Sequence, residues 1–285
     1  MTSLLLASLS LLYYVNSPVI EMRELAKKDS EVVSQAFFAE EVNVMEEAQN
    51  WVKIQTTVDN YQGWIPKEAL LQRKEQFPIH SALVAKVNRR AAHVYHVEDT
   101  VYGPIITLPF ESKLEVLEPK GESNSRWLKV LLLDGREGYI QRGDVILTPS
   151  LLRQDQMSVL SLHFLGLPYT WGGRSSFGYD CSGFVQMLYR QMGVYLPRDS
   201  KDQIRWSGFT NIAIDNLSPG DLIFFGLSED KIRHVGLYLG EDRFIHSTVA
   251  ENQPYIRISN LNDSEWNGSG RFVYRAARKL KAENQ

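Results

Sequence analysis

One short pattern occurs twice in this chain. Trp51-Val-Lys-Ile returns as Trp127-Leu-Lys-Val 76 residues on, and Gly63-Trp-Ile returns as Gly138-Tyr-Ile 75 residues on. Two features that repeat at nearly one offset point to a duplicated folding unit rather than to chance. Each copy consists of short apolar runs between polar turns, which in the first are Val19-Ile20, Val32-Val33, Val42-Asn43-Val44, Trp51-Val52-Lys53-Ile54 and Gly63-Trp64-Ile65-Pro66. Such runs predict small all-β barrels or sandwiches. Asp134-Gly135, between apolar strands of the second copy, marks a hairpin turn that needs φ > 0. Prolines end both copies, at Pro78 and Pro149, where strands cannot continue. The reading is therefore three domains: residues 1–75, 76–149 and 150–285. Trp64 and Trp127 are expected in the cores of the first two rather than as ligand platforms.

After Pro149 the texture changes. Residues 151–165 predict a helix, with Leu152, Met157, Leu160 and Phe164 roughly on one side. Next comes the stretch Tyr169-Thr-Trp-Gly-Gly, and after it Asp180-Cys-Ser-Gly-Phe-Val, which holds the only cysteine. Phe184, Val185, Leu188 and Met192 recur at helical spacing, so Cys181 stands in the first turn of an amphipathic helix with Asp180 at its N-cap. A thiol there faces unpaired backbone N–H groups and the positive end of the helix dipole, which favour thiolate. A lone cysteine is otherwise a small buried hydrophobe. A second helical piece is expected around Gln203, a strand at Leu222-Ile-Phe-Phe, and a late strand at residues 271–274. Helices first and antiparallel strands after make an α+β layer fold.

Residues 233–239 and 243–248 predict a hairpin carrying His234 and His246. With a three-residue loop, Gly240-Glu-Asp, His246 falls opposite Gly236 and both histidines share one face as diagonal neighbours. That register also gathers Val235, Leu237, Leu239 and Ile245 on the other face, giving it a continuous apolar surface. A general base must reach the nucleophile and a third group must orient the base. His234 suits the first role toward Cys181, and His246 the second. Structural zinc needs four ligands and no C-x-x-C or H-x-x-x-H spacing is present, so neither metal nor cofactor is expected.

Tyr169-x-Trp-Gly-Gly, Asp180-Cys-Ser-Gly-Phe-Val, Leu196-Pro-Arg-Asp-Ser, Ser218-Pro-Gly-Asp-Leu, His234-Val-Gly-Leu-Tyr-Leu-Gly and Phe244-Ile-His246 follow one another in order. This succession resembles the NlpC-type, papain-like cysteine peptidases of bacterial cell walls. The duplicated front end resembles bacterial SH3-like barrels, a combination similar to the γ-D-glutamyl-L-diamino acid endopeptidases of that family. The resemblance implies Cys181 as nucleophile, His234 as base, His246 as third polar member, and Tyr169 near the oxyanion. It implies a peptidoglycan stem peptide as substrate, cut between D-glutamate and the diamino acid, with a free N-terminal L-Ala required. Asp180, Ser182 and Ser200 match substrate contacts, and Glu31 and Tyr61 of the first barrel match residues that reach the substrate amine. Alternatives stay open: N-caps for Asp180 and Ser200, and a packed loop aromatic for Tyr169.

A formal charge of −3 and an ordinary 44% hydrophobic and 23% charged composition give no electrostatic case for nucleic acid or anionic membranes. One cysteine permits no internal disulfide. Residues 4–12 are apolar, but the first basic residue is Arg23, no A-x-A site follows, and the run is too short to span a bilayer. An element packed on the first domain is favoured over a cleaved signal, and a cytoplasmic location over a periplasmic or secreted one. A monomer trimming released wall peptides, as in recycling, is the expectation. The competing readings are an inactive wall-binding SH3 module and a cell-wall amidase.

Overall fold

The structure is a computed structural model that describes residues 11–79, 82–117, 126–268 and 272–281. Most of the apolar run at residues 4–12 lies outside these, and Leu12 opens the first strand. The chain forms two compact units, Met1–Glu31 with Ala36–Thr148, and Val32–Gln35 with Pro149–Gln285.

The duplication is realised as one topology used twice. The first copy has seven strands: β1 Leu12–Val15, β2 Val19–Arg23, β3 Val32–Phe37, β4 Glu41–Ala48, β5 Trp51–Thr56, β6 Gln62–Pro66 and β7 Leu70–Arg73. The second has β8 Leu83–Val87, β9 Ala91–Tyr95, β10 Pro104–Pro109, β11 Lys113–Val116, β12 Trp127–Leu131, β13 Glu137–Gln141 and β14 Val145–Leu147. Their orders, β3-β2-β6-β5-β4-β1-β7 and β10-β9-β13-β12-β11-β8-β14, correspond strand for strand. The repeated tetrapeptides occupy equivalent positions, since Ile54 pairs with Gly63 in one sheet and Val130 with Gly138 in the other. At Gly138 a side chain would force its neighbours to shift, because a Cβ would lie 2.5 Å from a Val94 methyl and 3.0 Å from the Tyr95 carbonyl oxygen.

The two copies share apolar packing. Tyr14, Phe38 and Phe77 join Val94, Leu108, Leu128 and Ile140 in one buried cluster, and the Phe77 N–H donates to the Tyr14 hydroxyl at 3.1 Å. Trp64 is buried, and Trp127 packs edge-on to Tyr95 at 5.5 Å between centroids. Glu31 is exposed just before β3, its carbonyl accepting from the Glu24 N–H at 2.9 Å. Tyr61 is held in the β5–β6 turn, its N–H donating to Thr56 Oγ1 at 3.1 Å and Asp59 Oδ1 at 3.2 Å.

The second unit is the α+β layer. Helix α1, Gln154–Ser161, is shorter than expected and continues as a 3₁₀ turn through Phe164, with Met157 and Phe164 buried. A two-residue ladder, β15 Arg174–Ser175 with β16 Gly178–Tyr179, leads to α2, Cys181–Arg190. Then follow α3, Ser200–Gln203, and the strands β17 Phe209–Ile212, β18 Leu222–Gly226, β19 Ile232–Gly240, β20 Arg243–Thr248, β21 Tyr255–Asn260 and β22 Tyr274–Leu280. The last strand begins at Tyr274, where the expected one ended. Its Ala276 and Ala277 pair with Phe224 and Ile223 in the middle of the sheet, burial that the polar sequence Arg-Ala-Ala-Arg-Lys does not advertise. The sheet is antiparallel in the order β17-β22-β18-β19-β20-β21, and α2 packs on β19 and β20. Phe164, Tyr179 and Phe184 meet edge-on or tilted at 5.7 to 6.1 Å, and the Tyr189 hydroxyl donates to the Gly220 carbonyl at 2.8 Å. These contacts fix the helix that carries the cysteine.

Candidate active site

Cys181 is the first residue of α2 because Asp180 ends the extended chain there. Asp180 has φ −88° and ψ −178°, and its Oδ1 accepts from the Gly183 N–H at 2.7 Å, an N-cap bond. The glycine-rich loop presses on this end of the helix, with the Gly173 carbonyl accepting from the Asp180 N–H at 3.1 Å. Gly183 permits the approach, since a Cβ there would stand 2.1 Å from the Gly173 oxygen. The spacing of Trp-Gly-Gly and Asp-Cys-Ser-Gly is thus the packing of a loop carbonyl against a helix start.

Asp180 does more than cap. Arg198, 2% exposed, donates from Nη1 to Asp180 Oδ1 at 3.1 Å and from Nη2 to Oδ2 at 2.5 Å. The same Nη1 donates to Ser182 Oγ at 3.0 Å, and Nε to Ser34 Oγ at 3.0 Å. The Ser182 hydroxyl donates to Asp180 Oδ1 at 3.2 Å. Two expected substrate contacts, Asp180 and Ser182, therefore already belong to a buried network around an arginine. Ser200 is half-buried at the first position of α3, where Asp199 rather than Ser200 occupies the N-cap and makes no side-chain cap bond. Tyr169 is half-buried, its N–H donating to the Pro254 carbonyl at 2.8 Å.

The thiol is not the preformed thiolate that the helix position suggested. Cys181 keeps 8% exposure, and burial, with the Asp180 carboxylate next, pushes its pKa up to about 12. The N–H of Val235, the Arg198 charge and the N–H of Ser182 oppose this without reversing it. The Gly183 N–H, which a thiolate would use, is taken by the cap. Helix α2 packs on β19 and β20, the two strands that carry His234 and His246.

The β19–β20 hairpin turns differently from expectation and reaches the same register. Gly240 pairs with Arg243 around a two-residue turn, Glu241-Asp242, with φ of 53° and 58°. Leu239 is the extra residue of a bulge, so that Tyr238 pairs with Phe244 and Leu237 with Ile245, as a three-residue loop would have placed them. His234 and His246 project from one face. His234 Nε2 and His246 Nδ1 are 2.7 Å apart, and His246 Nε2 lies 3.0 Å from Ser259 Oγ in β21. Trp266 stacks on His234 with centroids 5.6 Å apart, and Phe225, Phe244 and Phe272 complete an aromatic shell.

Both rings are held neutral. Burial lowers the pKa of His234 to about 3, assisted by the positive charge of Arg257. Burial also drives His246 well down, with the neighbouring ring and Arg257 adding to it. Arg257 pairs with His246 across β20 and β21, so it shares the histidine face; its Nη2 donates to Glu251, and its buried Nε has no partner among the described residues. Sequence reasoning missed Arg257 and Ser259, and read Arg198 only as part of a polar loop, without its Asp180 partner. The alternation Ile256-Arg257-Ile258-Ser259 was a legible sign that Arg257 and Ser259 share a polar face. Among the described residues no group of three or more His, Cys, Asp or Glu side chains is placed to hold a metal.

Comparison with known proteins gives concordant results. Residues 166–273 match the NlpC/P60 family, and residues 22–70 match the bacterial dipeptidyl-peptidase Sh3 domain. The chain is 31% identical over 263 residues to the gamma-D-glutamyl-L-lysine dipeptidyl-peptidase of Bacillus cereus, covering 84% of this chain and 75% of that protein. It is 32% identical over 229 residues to the protein of the same name from Bacillus subtilis, covering 77% and 73%. The crystal structure of an NlpC/P60 family protein from Bacillus cereus shares the fold, with a TM-score of 0.79 at 23% identity over 95% of this chain and 99% of that one. With its motifs in order and most of its length aligned to such relatives, the chain belongs to the NlpC/P60 family.

Proposed function

We propose that the protein is a cysteine peptidase that hydrolyses the bond between γ-D-glutamate and the diamino acid of peptidoglycan stem peptides. The observation that carries this reading is the conjunction of a cysteine at the start of a helix that packs on β19 and β20 and a hydrogen-bonded histidine pair, one ring on each of those two strands. The names of the relatives supply the substrate class.

His234 engages His246 through Nε2, so Nδ1 is the nitrogen that takes the proton of Cys181 as the sulfur attacks the γ-carbonyl carbon. The tetrahedral oxyanion draws on the Cys181 N–H and the Tyr169 phenol. Collapse breaks the C–N bond, and the leaving amine receives the proton from His234. Water then gives a proton to the same nitrogen as it adds to the thioester; collapse breaks the C–S bond, His234 returns that proton to the departing sulfur, and the released γ-carboxylic acid loses its own proton to solvent. Starting from a neutral thiol and a neutral imidazole, charge separates only as the substrate reacts.

The test is to incubate the protein with L-Ala-γ-D-Glu-L-Lys, L-Ala-γ-D-Glu-diaminopimelate and their N-acetylated forms, and to identify products by mass. Release of L-Ala-γ-D-Glu from the free-amine peptides supports the reading. Cleavage at another bond, or of none of the four, overturns it.

A further inference from the structure

We infer that Ser259 is a positioning residue of the reaction: as a hydrogen-bond acceptor at the end of the His234–His246 pair, it makes accessible the tautomer that leaves His234 Nδ1 free to act as the base. This inference rests on the peptidase reading of the same site.

Three groups stand in line, with His234 Nε2 to His246 Nδ1 at 2.7 Å and His246 Nε2 to Ser259 Oγ at 3.0 Å. All are buried, at 3%, 0% and 6% exposure. Two neutral imidazoles joined in this way have two self-consistent proton arrangements. In one, His234 Nε2–H donates to His246 Nδ1 and His246 Nε2–H donates to Ser259, which leaves a lone pair on His234 Nδ1. In the other, Ser259 donates to His246 Nε2 and His246 Nδ1–H donates to His234 Nε2, so that His234 Nδ1 carries its proton and cannot accept another from sulfur. Only the first arrangement performs the reaction.

The hydroxyl makes that arrangement affordable in the interior. Without it, the first arrangement leaves a buried N–H with no acceptor, and the second leaves only a bare lone pair. An orphaned buried N–H is the rarer and costlier of the two. Removing the hydroxyl therefore turns the pair toward the inactive arrangement without touching the substrate.

The test pairs kinetics with a direct reading of the tautomers. Ser259→Ala is expected to lower kcat about tenfold or more, the scale at which a misdirected general base is felt, with KM unchanged. Ser259→Thr, which keeps the hydroxyl, is expected to restore most of kcat. In ¹⁵N-histidine spectra of the unmodified protein, the two site rings, assigned through His234→Gln and His246→Asn, are expected as Nε2–H tautomers. An unchanged kcat in Ser259→Ala, or a His246 ring protonated at Nδ1 in the unmodified protein, overturns the inference. If Ser259→Ala does not fold, the threonine variant and the spectra still decide. Failure of the peptidase reading shows separately, as absence of turnover by the unmodified protein, and the spectra test the hydrogen-bond direction in that case too.

Discussion

His234 Nε2 and His246 Nδ1 lie 2.7 Å apart on adjacent antiparallel strands, inside a shell of Trp266, Phe225, Phe244 and Phe272. An imidazole pair in that environment is a pair of neutral groups, and the protein's response to acid follows from it.

Both histidines have folded-state pKa values below their ordinary 6.5, His234 at about 3. The unfolded chain therefore binds more protons than the folded one below pH 6.5, and stability falls as pH falls through that window. Each ring contributes a slope of up to about 1.4 kcal/mol per pH unit. Urea midpoints measured at pH 7, 6 and 5 are expected to drop steadily, and His246→Asn is expected to drop less steeply. Equal slopes in the two proteins would contradict this assignment.

Arg257 adds to the depression of both rings. Arg257→Met is expected to raise both histidine pKa values toward 6.5, moving the acid limb of kcat/KM to higher pH while making the protein less sensitive to acid unfolding. The two shifts have opposite practical signs, so a merely destabilised variant would not show both. Acid limbs of kcat/KM and urea midpoints, compared with those of the unmodified protein, check it.

Cys181 rests as a thiol, its pKa pushed up to about 12 chiefly by burial. Alkylation by iodoacetamide is expected to accelerate about tenfold per pH unit from pH 6 to 9, following the thiolate fraction. A rate that is already flat across that range would reveal a standing thiolate–imidazolium pair. On the stability side, a raised folded pKa means that the contribution from keeping the thiol protonated is present below about pH 9 and is lost as pH rises toward 12.

Arg198 and Asp180 form a buried ion pair with two hydrogen bonds and side-chain exposures of 1% and 11%. Arg198→Met leaves a buried carboxylate unpaired, which is expected to cost about 3–5 kcal/mol. Asp180→Asn with Arg198→Met is expected to lose less than the two single changes added together. Chemical denaturation of the double-mutant cycle measures this coupling.

Much of this was legible beforehand, and for identifiable reasons. The duplicated strands could be read because Trp51-Val-Lys-Ile and Trp127-Leu-Lys-Val carry equivalent places in two sheets of one topology. The histidine register could be read because the apolar face of β19 and β20 tolerates only an odd shift, which a bulge at Leu239 supplies as well as a three-residue loop does. The state of the thiol could not be read. Helix position predicts the dipole and the free N–H groups, whereas burial and the neighbouring Asp180 are properties of the assembled site and act in the opposite direction. The partner of Arg198 could not be read because a loop arginine in Leu-Pro-Arg-Asp-Ser is ordinarily solvated, and only folding brings it to the Asp180 carboxylate.

Cleavage of the γ-D-glutamyl bond by Cys181, activated through His234, has a simple readout. Its most direct measurement is mass analysis of L-Ala-γ-D-Glu-L-Lys and its diaminopimelate counterpart after incubation with the unmodified protein, Cys181→Ala and His234→Gln. L-Ala-γ-D-Glu and the free diamino acid are expected from the unmodified protein, and intact peptide from both variants. Undiminished cleavage by Cys181→Ala would contradict the role given to Cys181.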